Sequence, residues 1–173
     1  KRINYSENND TNGFNIEIAA IQRRASLSIG YALLSEAKRR HLRESTAVFA
    51  GKLHDQAIAK FEGLVKSVVP GSLESLDFLL GLARARVESA RYKQSHSSVL
   101  GRDEIQDAYA RCIPVCESYL RVMDLGFTSD ENAFSSVIGH DSHEVAFVLM
   151  EALFAIGKSE LGEGMFLKYF ISP

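Results

Sequence analysis

Strand-like alternation, proline, cysteine and any nucleotide-binding glycine loop are scarce or missing in this chain, and each absence narrows what it can be. Period-two runs of β-branched residues do not occur, so no strand is expected. Only three prolines are present, one of them the final residue, which leaves long stretches free to be helical. Two cysteines, Cys112 and Cys116, are too few for a disulfide framework and favour a reducing, cytoplasmic or similar intracellular compartment. No apolar run approaches the roughly 18 residues of a membrane span. The longest, Val145–Met150, is stopped by Glu151. A net charge of −2 and a pI near 6.2 provide no global attraction to nucleic acid or anionic lipid. The opening KRINYSENNDTNG has no apolar centre and so does not read as a secretory signal. G-x-S-x-G, Walker and G-x-G-x-x-G patterns are all missing, as is the Glu-x-x-His of di-metal carboxylate bundles.

What is present is helical periodicity. With 173 residues, 46% of them hydrophobic and 24% charged, the chain has the size and composition of one globular domain. Residues 1–13 read as a flexible tail and 14–173 as a single all-α domain, a compact multi-helix bundle or helical-hairpin stack of about six or seven helices. In the first helix, from about Asn15 to Arg43, Ile18, Ile21, Ala25, Ile29 and Ala32 step by three or four, with Leu27, Tyr31 and Leu34 widening the stripe. A second helix carries Ala50, His54, Ala57, Phe61 and Leu64. Val69-Pro70-Gly71-Ser72 then breaks the pattern, with Ser72 placed to cap a third helix whose seam is Leu73, Leu76, Leu80, Ala83, Val87 and Ala90. That seam is regular enough to serve a partner as well as a core. A fourth helix is expected over about 103–125, kinked at Pro114, and a short one from a Thr128/Glu131 capping pair. Residues 145–156, VAFVLMEALFAI, are apolar nearly all round, as expected of the central helix. A last amphipathic piece bears Leu161, Phe166, Tyr169 and Phe170.

The densest run of reactive side chains is HDSHE at 140–144. Asp141 and Glu144 have the spacing of an N-cap and its N3 partner, a D-x-x-E capping box. His140 and His143 alone make a conceivable metal half-site, short of the three or four ligands zinc needs. His54-Asp55 has the form of the motif used by helical metal-dependent phosphohydrolases, but His54 lies on its helix's apolar stripe, which favours a core histidine. Cys112 and Cys116, at i and i+4, face one stripe and read as packing residues.

Basic side chains cluster at Arg23-Arg24, at Lys38-Arg39-Arg40-His41, and along Arg84, Arg86, Arg91 and Lys93. Arg39, Arg40, Arg84, Arg86, Arg91 and Lys93 are the candidate partner-binding residues. Arg23-Arg24-Ala25-Ser26 also has the form of a basophilic kinase target at Ser26. Taken together, the residues predict an interaction or regulatory module, an adaptor or self-assembling scaffold, that binds another protein or itself. No cofactor and no catalytic residue is expected. A helical metal- or ligand-binding domain, with His54, His140 and His143 as ligands, is the second reading. Nucleic-acid binding through the basic faces is the third.

Overall fold

The computed structural model describes residues 8–42, 47–72, 74–96, 100–126 and 138–171, and among them every regular element is helical. In chain order these are α1 (Asn8–His41), α2 (Ala47–Lys66), α3 (Glu74–Ser95), α4 (Arg102–Ala110), α5 (Ile113–Gly126), α6 (Ile138–Ala155) and α7 (Ser159–Phe166). A π-helical turn, Leu167–Ile171, continues α7. The all-α bundle expected from the periodicity is therefore what forms. Residues 128–137, including the Thr128/Glu131 capping pair, lie outside the described residues.

α3 is the hub. It packs on α1 and α2 on one side and on α4, α5 and α6 on the other. Leu76, Leu80, Ala83, Val87 and Ala90 are all buried, and so are Phe78, Leu79, Leu82 and Ala85. This corrects two expectations. The α3 seam from Leu76 to Ala90 is consumed by the core and is not free for a partner; Leu73 lies outside the described residues. The central helix is α3 rather than α6, because Phe147 and Phe154 of α6 stand half in water. An all-round apolar sequence marks burial only where other helices are available to cover every side.

α1 and α2 form an antiparallel hairpin around Phe61. The Phe61 ring is fully buried, with the edge of Tyr31 at 5.2 Å. A Cβ on Gly30 of α1 would lie 2.8 Å from this ring, and one on Gly81 of α3 only 2.3 Å. Phe61 thus sits in a slot that exists because two facing helices lack side chains there. The slot fixes how α1 is rotated: Gly30, Leu34 and Ala37 point inward, with Leu27, Tyr31 and Leu33 partly covered. Ile18, Ile21, Ala25, Ile29 and Ala32, the stripe expected to face the core, are exposed instead.

Three local departures have simple causes. α1 starts at Asn8, seven residues before the expected Asn15; extending an existing helix requires no new nucleus. The expected fourth helix is two, because the chain turns at Arg111-Cys112 and restarts with Pro114 as the second residue of α5, where its missing N–H is tolerated. Ser72 makes no side-chain cap; its buried hydroxyl has no partner, and Ser75 Oγ instead donates to the Ser72 carbonyl.

Two glycine substitutions are expected to have opposite signs. Gly81→Ala forces a methyl into the Phe61 ring and should lower stability by about 1–3 kcal/mol, despite a gain of about 1 kcal/mol in helix propensity. Gly63→Ala, with nothing within 4 Å of its Cβ, should raise stability by up to about 1 kcal/mol. Urea unfolding of both variants checks the pair.

Candidate functional site

The candidate arginines turn inward or sideways to carboxylates of this same chain. Arg84 of α3 holds Glu144 of α6 in a two-pronged pair at 2.7 and 2.5 Å, with Asp141 at 3.7 Å and the Tyr31 hydroxyl of α1 at 3.5 Å. Seven residues on, Arg91 repeats the arrangement with Glu151 at 2.9 and 2.5 Å. Glu151 also accepts a hydrogen bond from the Tyr109 hydroxyl of α4 at 3.2 Å. Arg86 donates to Glu62 of α2 at 2.8 Å and to the Arg111 carbonyl. Arg39 and Arg40 converge on Glu36 at 2.7 and 2.6 Å, and their hydrogen bonds hold its carboxyl down at about 2. Lys93 lines a small cleft of about 240 Å³ with Asp55, Glu62 and Arg86.

These pairs also account for the two carboxylates of the HDSHE run. α6 begins at Ile138, so Asp141 lies within the first turn and is not the N-cap; its carboxylate and that of Glu144 serve Arg84. The capping-box spacing and the spacing that aims two carboxylates at one guanidinium are the same, and sequence alone does not separate them. The matching seven-residue steps, Arg84 to Arg91 and Glu144 to Glu151, were the signal available for the ion pairs. His143 is exposed on α6 with the Phe170 ring 5.6 Å away. The His140 side chain lies outside the described residues. Among the described residues no three His, Cys, Asp or Glu side chains gather as a metal site.

His54 is fully buried, and neither ring nitrogen has a hydrogen-bond partner. Burial drives its pKa down to about 4; Glu88 pulls the other way, and His41 and Lys38 add to the decrease. Asp55 points out to water, so the His-Asp pair does not converge on one site. Around Tyr92 the structure collects His54 at 5.7 Å, His41 at 5.3 Å and His96 at 4.4 Å between ring centroids. Ser95 links two of them, 2.9 Å from His41 Nε2 and 3.0 Å from His96 Nδ1. The buried thiols of Cys112 and Cys116 are both pushed up by desolvation, that of Cys112 to about 12, which suits packing and not nucleophilic chemistry.

The chain matches no family model, no curated protein and no solved structure.

Among the apolar side chains that the described residues leave in water, two groups run along helices. One is the α1 stripe, with Ile21 at 66% and Ile29 at 49% exposure. The other runs along the α6/α7 seam. There Phe154 covers Gly162, Phe166 stacks on Phe170 at 5.7 Å, and Phe147, Leu167 and Ile171 are exposed. The second carries more large exposed side chains, and the first lies on the longest of the helices. α1, at 34 residues, is about 20 Å longer than the 20-residue α2 it packs on. Between the two helices opens a cleft of about 730 Å³ lined by Ala19, Arg23, Ser26, Lys60 and Leu64. Ser26, the kinase-pattern serine, is thus half-buried on the inner side of α1. Sequence reasoning located the stripe residues but turned them the wrong way. The signal that would have oriented them is Gly30, which lies away from the stripe and beside Leu34 and Ala37.

For His54 the pH dependence has a defined sign. Its folded pKa, about 4, lies below the free value of about 6.5, so the unfolded chain binds the extra proton first. Its contribution is complete above pH 6.5 and is lost as pH falls toward 4, by about 3 kcal/mol in total. His54→Leu should flatten that slope and, by removing two unpaired buried nitrogens, hold or raise stability at pH 7. Urea unfolding of both proteins between pH 4 and pH 8 measures it. A second expectation concerns the hub: Glu151→Ala should destabilise by about 1–2 kcal/mol, and a double-mutant cycle with Arg91→Ala should show coupling.

Proposed function

We propose that this chain is a protein–protein interaction module, an adaptor or self-assembling scaffold built from helices. The observation that carries this reading is the α1 stripe. A helix that already buries one face against α2 and α3 presents a second apolar face, at helical spacing, to solvent. Such a face is what helix-to-helix recognition uses, with anchors at i, i+3, i+4 and i+7 positions. The aromatic seam of α6/α7 adds a second apolar area of the same character.

The alternatives fit the geometry less well. Nucleic-acid binding would draw on cations free to reach phosphates, whereas Arg84, Arg86, Arg91, Arg39 and Arg40 are each held by carboxylates of the fold. A catalytic or ligand site at His54 would need neighbouring polar groups that converge with it. Its ring packs beside Tyr92 instead, and neither of its nitrogens meets a hydrogen-bonding group.

The reading is tested with Ile21→Lys/Ile29→Lys, a double substitution on exposed positions that leaves the core untouched. Proteins captured by the wild-type chain, or its mass by light scattering, should be lost or reduced in the variant while its thermal midpoint stays within a few degrees. An unchanged capture set and unchanged mass would overturn the reading.

A further inference from the structure

Ser26 plays no part in the interaction reading above. Arginine stands three residues before Thr46 and Ser89 as well, but in this chain only Ser26 has arginine at both −3 and −2, with Leu27 following. A kinase that selects arginine reads it with carboxylates, which hold a guanidinium by charge-assisted, two-pronged hydrogen bonds. Leu27 offers such an enzyme an apolar contact on the other side of the acceptor. Ser89, by contrast, is buried in α3.

The surroundings of Ser26 suit the product of that reaction. Ser28 donates its hydroxyl back to the Arg24 carbonyl at 3.1 Å, whereas Ser26 Oγ has no hydrogen-bond partner among the described residues. Ser26 lines the cleft of about 730 Å³ between α1 and α2, together with Gln22, Gln56 and Ser67. Only two residues of that lining carry charge, Arg23 and Lys60, and both are cations. Arg23 is held by Glu74 at 2.6 Å, while Lys60 pairs with no carboxylate among the described residues. Cations, amides and a hydroxyl around one cleft are what the oxygens of a phosphate group need.

Ser26 can also reach an enzyme. A kinase takes its substrate as extended chain, so residues 23–27 have to leave the helix to react. From 15 to 29 no residue of α1 is buried, and the first that is buried is Gly30. Unwinding that end therefore uncovers little apolar surface. Gly30, a poor helix former, is a natural place for the unwinding to stop.

We propose that Ser26 is a phosphorylation site for an arginine-directed serine kinase, and that Arg23 and Lys60 receive the phosphate when α1 closes again. In the transfer the Ser26 oxygen attacks the γ-phosphorus of ATP. The bond from that phosphorus to the β–γ bridging oxygen breaks, ADP leaves, and the hydroxyl proton passes to the kinase's catalytic carboxylate. The product carries about two negative charges at neutral pH, enough to draw Arg23 from Glu74 and Lys60 across the cleft. α1 and α2 are then tied together at the end where a cleft now separates them.

The test incubates the folded full chain with ATP and the catalytic subunit of cyclic-AMP-dependent protein kinase, and locates the phosphate by tandem mass spectrometry. One phosphate per chain is expected at Ser26, and none there in Ser26→Ala, whose thermal midpoint should stay within a few degrees. Phosphorus NMR of the modified chain then reports the seat. An exposed phosphoserine has a second pKa of about 6. Beside two cations it should lie lower, and Lys60→Gln should move it back toward that value. A folded chain that takes up no phosphate, takes it up at other positions only, or takes it up at Ser26 only in urea, overturns the site. A second pKa that Lys60→Gln leaves unchanged overturns the seat in the cleft. None of these outcomes bears on the exposed stripe of α1, which has its own test at Ile21 and Ile29.

Discussion

The rest of the structure depends on the seat of Phe61. Its ring occupies a slot between Gly30 and Gly81, and a Cβ on either side would collide with it. An aromatic ring of this kind brings about 1.5–3 kcal/mol through burial alone. Its larger effect is geometric. Because the ring fits only where both glycines face it, it fixes the rotation of α1 and of α3 about their own axes. A helix held in one rotation must expose whatever lies on its far side. On α1 the far side is Ile18, Ile21, Ala25, Ile29 and Ala32.

The second half of the bundle is held to the same hub by charge. Arg84 and Arg91 on α3 meet Glu144 and Glu151 on α6 in the same order along both helices. These pairs are partly exposed, so each adds modestly to stability, while together they fix the register of α6 against α3. Glu88 extends the network to α1 through Lys38 at 2.9 Å. One consequence is that the cations most visible in the sequence are already matched within the fold. The apolar faces of α1 and of the α6/α7 seam are left in water, and the interaction proposed for this chain uses them.

Much of this was legible in the residues. Helix type, the punctuation at Pro70-Gly71, the break near Pro114 and the buried stripes of α2 and α3 all follow from spacing and turn chemistry. The orientation of α1 was not legible, because its sequence carries two apolar stripes and periodicity cannot say which one meets the core. That choice lies in a three-body fit between Phe61, Gly30 and Gly81, which are far apart in sequence. HDSHE failed for a related reason: two carboxylates three apart serve a helix start or a distant guanidinium equally well, and only Arg84, some sixty residues away, decides. The central position of α3 over α6 likewise depends on which neighbours arrive, not on hydrophobicity along either helix.

The account turns on which face of α1 is outside. Thiol-labelling rates of Ile29→Cys and Leu34→Cys measure this directly, at protein concentrations low enough for the chain to be monomeric by light scattering. The native Cys112 and Cys116 are buried, with thiols held well above their usual pKa, and contribute little background. The Ile29→Cys variant should label at nearly the rate of an unfolded peptide, while the Leu34→Cys variant should be protected until the chain unfolds. Protection at position 29 with rapid labelling at position 34 would contradict the account at its root.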